Sequence, residues 1–320
     1  MSNKGKLFYA KAVKGHTIKV LIDSLSQPFS RTVFTFNKDG IFHRNADEVK
    51  QILFDVAFYR KHFQNYVCKE EIVFDVNLNH LQTMLKNVKK KDTLILFIDK
   101  ETPKKLAVTI CPSNTNGSSK SQETITIAIN RIEEEPQQIE LPEIYHNVTT
   151  QEDIPVYSYP VIIDSSAFGK MKKMTSIGKV ISVNIQRGNY IIFGADNGEL
   201  YNTTFEFGEI YPNEEFDEED KDLVIDGQEE DNKEKGWYEA EFDMNIFKLL
   251  MKLPGLCKQM QFYAPKNRMF PLKIGMQADN FGDITIYIKN KQMVDIEQNE
   301  REQIQAEKIK KTKKKKSVKK

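Results

Sequence analysis

The stretch EIVFDVNLNHLQTMLKNV, residues 71–88, changes its hydrophobic period in the middle. Ile72, Phe74 and Val76 recur at every second position, as in a strand with one buried face. From Leu78 onward the apolar residues fall at Leu78, Leu81, Leu85 and Val88, with His80, Thr83, Lys86 and Lys90 opposite. That is the spacing of a helix lying on a sheet. Three other segments carry the same kind of stripe. Ile18, Leu21, Ile22 and Leu25 stand against His16, Lys19, Asp23 and Ser26. Phe168, Met171 and Met174 stand against Lys170, Lys172 and Lys173. Ile246, Leu249, Leu250 and Leu253 stand against Asn245, Lys248 and Lys252. Lysines on one solvated helix face are commonplace. Four helices that all present polar or basic faces are able to turn them toward one shared polyanion.

Strands are predicted around these helices at 7–13, 31–36, 41–44, 51–58, 71–77, 93–99, 105–111 and 123–129. Lys38-Asp39-Gly40 reads as a hairpin turn, with Asp-Gly supplying positive-φ positions. The pattern then restarts. PVYSYPVIID, VISVNI (180–185), YIIFGA (190–195), ELYNTTFEF (199–207), AEFDMN, KQMQFYA, PLKIGMQ and DITIYIK read as strands, and 165–177 as a helix. Each half is strand–helix–strands–helix–strands, an α+β pattern duplicated in order only.

The chain has 320 residues, a length that suggests two domains. Its three cysteines, Cys68, Cys111 and Cys257, have no metal-ligand spacing and imply no disulfide framework. The N-terminus lacks an apolar signal region, and no apolar run approaches the ~18 residues of a membrane span. An intracellular, reducing location is therefore expected. The net charge of +1 conceals a segregation: residues 308–320 carry nine lysines and no acid. Without those lysines the rest of the chain stands at −8. Such a body suits loose contact with a polyanion through local lysine faces better than bulk attraction.

Residues 132–155 hold three prolines and many acids, and read as a surface linker. Residues 209–231 carry twelve acids against Lys221 and read as a solvated insertion. A calcium loop is the sharper alternative there, but Val224 stands where an oxygen ligand is needed and Lys233 at the closing acidic position. The lysine-rich end reads as a disordered tail: a nuclear import signal, a nonspecific DNA contact or a solvated tail without a role, able also to pair intermittently with the acidic insertion. No enzyme signature is found: the histidines at 16, 43, 62, 80 and 146 form no metal-binding group, and no phosphate loop or nucleophile elbow exists. Asp75 and Asp243 precede helices and read as strand-end or cap residues. No enzymatic activity, metal or cofactor is expected.

In joint order and spacing, several segments resemble the DNA sliding clamps of the proliferating cell nuclear antigen family. They are NKDGIFHRNADEVKQILFDVAF (37–58), FDVNLNHLQTMLKNV (74–88), SSAFGKMKKMTSIG (165–178), VISVNIQRGNYIIFGADNGEL (180–200), FDMNIFKLLMKLPGL (242–256) and DITIYIKNK (283–291). The resemblance covers roughly residues 7–292. In the first helix only Lys19 keeps a basic residue, with Val20 and Ser26 where the family commonly has lysines. This divergence suggests a viral or otherwise fast-evolving member.

The resemblance implies a DNA-clamp fold: two similar domains, each with antiparallel sheets outside and two helices inside, assembling into a ring of three chains. The expected limits are a first clamp domain over 1–131, a connecting loop over 132–155, and a second clamp domain over 156–292 with an acidic insertion at 209–236. A disordered basic tail over 293–320 follows. Lys19, Lys86, Lys90, Lys170, Lys173, Lys248 and Lys252 would face DNA, with Lys89 and Lys91 near the rim. Partner peptides would dock at Ile139, Leu141, Ile144, Tyr287, Ile288 and Lys289. Subunits would join through Thr124, Thr126 and Ala128 on one chain and Tyr201, Thr203 and Phe205 on the next. Implied partners are double-stranded DNA without sequence preference, DNA polymerase and other replication and repair proteins, a clamp loader, and two further copies of the chain; no membrane is implied. The implied location is the nucleus, or a viral replication site. The competing expectations are a non-ring processivity factor of the same fold, which the −8 body disfavours, and a transcription or checkpoint scaffold.

Overall fold

Residues 71–88 fold as their change of period dictates, into β6 (Ile72–Asn77) and α2 (Leu78–Leu85). Asn77 ends the strand and caps the helix, its Oδ1 accepting from the His80 amide at 3.0 Å. Leu78, Leu81, Leu85 and Val88 are all buried. The computed structural model describes residues 5–113, 122–133, 139, 141, 143–147, 151–186, 190–198, 202–208, 237–279 and 281–303.

The first half contains β1 (Lys6–Ala12), α1 (Gly15–Leu25), β2 (Arg31–Phe36), β3 (Gly40–Ala46) and β4 (Ile52–Tyr59). It continues through β5 (Asn65–Cys68), β6, α2, β7 (Thr93–Asp99), β8 (Lys105–Cys111), β9 (Glu123–Ala128) and β10 (Asn130–Arg131). A short hairpin follows, β11 (Ile144–Asn147) with β12 (Glu152–Pro155). The second half has β13 (Val161–Asp164), α3 (Ser165–Phe168), β14 (Val180–Gln186), β15 (Tyr190–Asp196), β16 (Asn202–Gly208) and β17 (Trp237–Asp243). It ends with α4 (Met244–Leu250), β18 (Gln259–Tyr263), β19 (Leu272–Ala278), β20 (Gly282–Ile288) and α5 (291–303).

Three larger antiparallel sheets result. One runs β5-β1-β7-β8-β9, one runs β16-β15-β14-β17, and the third runs β10-β6-β2-β3-β4-β20-β19-β18-β13. The nine-stranded sheet joins the two halves through β4 and β20, in register from Ile288 opposite Ile52 to Gly282 opposite Phe58. Residues from both halves share one apolar core. The helices meet edge to edge: α1 touches α2 on one side and the 3₁₀ turn Leu253–Gly255 on the other, and that turn touches α3. Val20 and Gly255 meet at this join, where a Cβ on the glycine would lie 3.4 Å from the valine.

Several expectations need correction. The turn at 38–40 has no positive φ. Instead the Asn37 carboxamide accepts from the amides of Asp39 and Gly40 at 2.9 and 3.2 Å. Glycine is required at position 40 by proximity, since a Cβ would lie 2.1 Å from the Phe58 carbonyl oxygen. The helix expected over 165–177 is one α turn followed by a 3₁₀ segment, Gly169–Ser176. Thr175 and Ser176 hydroxyls donate back to the carbonyls of Lys172 and Lys173, and a glycine begins the segment, so the α form has local competition. In the last helix Phe247 is fully buried and Leu249 only partly, rotating the stripe toward the sheet.

The segment read as a surface linker contains a short hairpin, in which β11 and β12 pair from Ile144–Pro155 to Asn147–Glu152. PVYSYPVIID is not one strand: Pro155 ends β12 and Val161–Asp164 forms β13, with Pro160, which has no amide hydrogen to give a ladder, just before it. The tail expected to be disordered from 293 begins instead as helix, α5. Asn290 caps it, with its Oδ1 accepting from the Met293 amide at 2.8 Å, and Met293 is buried. The acidic insertion at 209–236 and residues 304–320 lie outside the described residues.

Candidate nucleic-acid interface and partner face

The apolar stripes press the helices onto the sheets and leave their lysines on the far side. Lys86, Lys90, Lys170, Lys173, Lys248 and Lys252 are exposed and Lys19 is half-buried. They are not equivalent. The Lys19 ammonium donates to the carbonyls of Lys86 at 2.7 Å and Val88 at 3.3 Å, just past the C-terminal end of α2. Lys252 reaches from the second half to the Asp23 carbonyl at 3.2 Å, and Lys248 to the Asn245 side-chain oxygen at 3.3 Å. Asp243 caps α4 by accepting from the Asn245 amide at 2.7 Å, whereas Asp75 pairs with Arg31.

Near the start of α1 lies a group that the sequence reading passed over. Asp279, in the turn between β19 and β20, accepts from the Thr17 hydroxyl at 3.3 Å and faces the Lys14 ammonium at 3.7 Å. His16 sits among them, its pKa lowered by partial burial and then by Lys19 and Lys90, against the pull of Asp23 and Asp279. On β17, exposed Glu239 and Glu241 alternate with buried Tyr238 and Phe242. Carboxylates thus line the sheet surface away from the core.

The expected joining strands are the outermost strands of their sheets: β9 ends the five-stranded sheet and β16 the four-stranded one. The Ile129 amide donates to the Lys104 carbonyl at 2.9 Å, which fixes the phase of the ladder. By alternation, Ile125 and Ile127 bond to β8, while the main-chain groups of Thr124, Thr126 and Ala128 point to the open edge. On β16, Thr203 and Phe205 are half-buried, and Phe205 stacks on half-buried Phe207 at 6.5 Å. Tyr201 lies outside the described residues.

The expected peptide residues are only partly brought together on an outer surface. Ile144 is exposed, Tyr287 is half-buried, and the Ile139 carbonyl accepts from Arg44 at 3.4 Å. Leu141 is half-buried. Ile288 does not belong to the surface: strand alternation turns it into the core, where it is fully buried between Leu272 and Ile52. Lys289 pairs with Glu297 of α5. Aromatic residues that lacked a distinctive sequence signal stand beside Tyr287 and on the neighbouring hairpin. Tyr157 lies 6.3 Å from it ring to ring, and Tyr145 lies 5.5 Å from Phe270. Exposed Met269 adjoins Phe270. Burial pushes the Tyr287 pKa up to about 12, reinforced by Asp55 and opposed by Arg44. Among the described residues no acid, histidine and cysteine group fit to hold a metal ion occurs, and no helix is long and apolar enough to cross a membrane.

Antiparallel sheets backed by one layer of helices, with lysines on the helices and acids on the sheets, define a molecule of the DNA-clamp class. Residues 7–134 match the family described as "Proliferating cell nuclear antigen, N-terminal domain". The chain is 32% identical over 124 residues to the DNA polymerase sliding clamp of Pyrococcus furiosus, covering 39% of this chain and 45% of that one. It is 23% identical over 282 residues to the DNA polymerase sliding clamp of Nitrosopumilus maritimus, covering 88% of this chain and 97% of that one. A third relative, the sliding clamp of Thermococcus onnurineus, is 33% identical over 76 residues, 24% of this chain and 30% of that one. The chain therefore spans less than half of the first and third relatives and nearly all of the second. Over residues 7–134 the chain is thus similar to the proliferating cell nuclear antigen family, and over most of its length to a DNA polymerase sliding clamp.

Proposed function

We propose that this protein is a DNA polymerase sliding clamp, a processivity factor that encircles duplex DNA as a ring of three chains and tethers replication and repair enzymes. The observation that carries this reading is the seam between β4 and β20. Within the first half, β2-β3-β4 leads outward to the seam; in the second half β14-β15-β16 has no further strand beyond β16 among the described residues. Likewise β18-β19-β20 reaches the seam, and its counterpart β7-β8-β9 has none beyond β9 among the described residues. The partner that β4 finds in β20 has an equivalent for β16 in the β9 of another chain. Repeating that junction head to tail around a three-fold axis leaves neither edge unpaired.

The same reading divides the chain into clamp domains at 1–131 and 156–292 with a connecting loop at 132–155. In a ring the helix layer of each chain lines the hole. Lys86, Lys90, Lys170, Lys173, Lys248 and Lys252 then give a sequence-independent attraction to phosphates, and Lys19 serves mainly to hold α1 against α2. Lysine suits sliding because it makes few fixed bidentate contacts. Acids on the outer sheet surface repel DNA from the wrong side. Partner peptides dock over Tyr287, Ile144, Ile139 and Leu141, with Tyr157 and Phe270 added and Ile288 removed. A clamp loader opens the ring, and the protein works wherever the DNA is replicated.

Sedimentation at micromolar concentration tests the ring. A species of about three times 37.2 kDa is expected. A 37.2 kDa monomer that nevertheless stimulates polymerase on long templates would replace the ring with a non-enclosing factor.

A further inference from the structure

Lys273 on β19 holds its ammonium 4.8 Å from the centre of the Tyr263 ring and 5.3 Å from that of Tyr157. No carboxylate among the described residues lies within 4.0 Å of it. Directly across the ladder stands Tyr287. The other two phenols are committed: Tyr157 donates to the Pro271 carbonyl at 3.1 Å and Tyr263 to the Gln261 side-chain oxygen at 2.6 Å. Tyr287 makes no side-chain hydrogen bond among the described residues, and its raised pKa keeps the hydroxyl a donor at neutral pH. Two donors on adjacent strands, one of them charged, therefore face outward unused. Glycine at 275 permits the arrangement, because a Cβ there would press on Tyr263 Cε2 at 3.2 Å and move the ring that flanks the lysine.

Aromatic rings on two sides restrict the lysine stem and partly desolvate the ammonium, but they do not neutralise it. Of the two acids whose charge acts on Tyr287, Asp55 is already paired with Arg44 at 2.7 Å and Glu143 is exposed to solvent. The chemistry left open is that of a carboxylate, which accepts from both donors at once.

We infer that Lys273 and Tyr287, framed by Tyr157 and Tyr263, form a carboxylate-binding subsite that selects partner peptides carrying an aspartate or glutamate beside their apolar plug. This rests on the reading of the Tyr287 surface as the partner-peptide face, and it adds a charge preference to it. Exposed Met269, next to Phe270, offers apolar surface on the segment that leads into β19.

The test uses the full chain and two synthetic fluorescein-labelled peptides. Both contain an aliphatic–Phe–Phe plug; one is flanked on each side by Glu, the other by Gln. Fluorescence anisotropy at low salt should show the Glu peptide binding at least about threefold tighter, the size of a modest ion pair. Lys273→Gln should abolish that preference, bringing the Glu peptide's affinity down to that of the Gln peptide. Lys273→Arg should retain the preference, and Tyr287→Phe should reduce it. If wild-type protein binds both peptides equally, the carboxylate subsite is overturned and the peptide face survives. If neither peptide binds a protein that still sediments as a ring, the peptide face is overturned and the subsite with it.

Discussion

The seam between β4 and β20 and the edges at β9 and β16 are the same kind of strand in two conditions. At the seam every residue from Ile52 to Phe58 has a cross-strand partner, and Phe54 and Ile286 are fully buried. At the edges Thr124, Thr126 and Ala128 are exposed, and Phe205 is half covered. One join is made when the chain folds; in the proposed ring the other is made with a second chain. The difference predicts opposite responses to substitution. Phe54→Ala should cost the folded chain about 3–5 kcal/mol, because the cavity lies within the shared core. Denaturant titration of both halves should register this loss together. If only the first half unfolds earlier, the seam does not couple the halves.

A second prediction concerns how tightly this sheet is sealed. His43 on β3 pairs opposite Val56 on β4 and is fully buried between Phe29 and Phe34. Burial pushes its pKa down from 6.5 to about 4, and only the Val33 carbonyl, accepting from Nδ1 at 3.0 Å, opposes this strongly. The unfolded chain takes up the proton first as pH falls. The stability held by the neutral ring is fully present above pH 6.5, is lost between 6.5 and about 4, and falls no further below that. The loss is about 3 kcal/mol over that window. His43→Leu should flatten that part of the pH–stability curve relative to wild type. An unchanged slope would mean that the ring is solvated in the native state.

Breaking an open edge should do far less to the fold and far more to assembly. The Thr126 amide points away from β8, so Thr126→Pro removes no bond that the single chain makes. Its unfolding free energy should change by less than about 1 kcal/mol, because proline is tolerated on an edge strand. Sedimentation should nevertheless show the ring replaced by the 37.2 kDa chain. A ring that survives Thr126→Pro would place the join elsewhere.

Much of this contrast was legible in the sequence, for reasons of period. Strands β4, β6 and β20 and the stripes of α1 and α2 are long enough for a two-residue or 3.6-residue repeat to declare itself. Shorter elements were not: β5, β11 and β12 have four residues each, too few to separate alternation from chance. The helical start of the tail was hidden by charge, because Met293, Val294 and Ile296 are the apolar residues that turn toward the body while most of the described part of α5 is exposed. The lysines were identifiable as types but not as individuals. Nothing in sequence spacing says that Lys19 spends its donors on a neighbouring helix, or that Lys273 stands between two tyrosines. Ile288 was misplaced because the resemblance carried over three consecutive residues, Tyr287, Ile288 and Lys289, whereas a strand sends neighbours to opposite faces.

The helix layer repeats the contrast between satisfied and open groups on a smaller scale. Lys19 is held by two carbonyls past the end of α2, whereas Lys170 and Lys173 stand exposed on the 3₁₀ segment. If duplex DNA passes along this surface, the open lysines release more counterion per residue than the tethered one. Lys170→Ala with Lys173→Ala should reduce the slope of log K against log salt by about 1.8 for each chain that contacts DNA, near 0.9 per phosphate contact. Lys19→Ala should change the slope much less and instead lower stability by about 0.5 kcal/mol, through loss of a charge at a helix C-terminus. Loaded rings on a circular duplex, followed by their off-rate after linearisation at several salt concentrations, separate the two. Equal slope changes for Lys19 and for Lys170 would mean that the Lys19 ammonium leaves its carbonyls for phosphate when DNA arrives, and that α1 and α2 part slightly on the loaded ring.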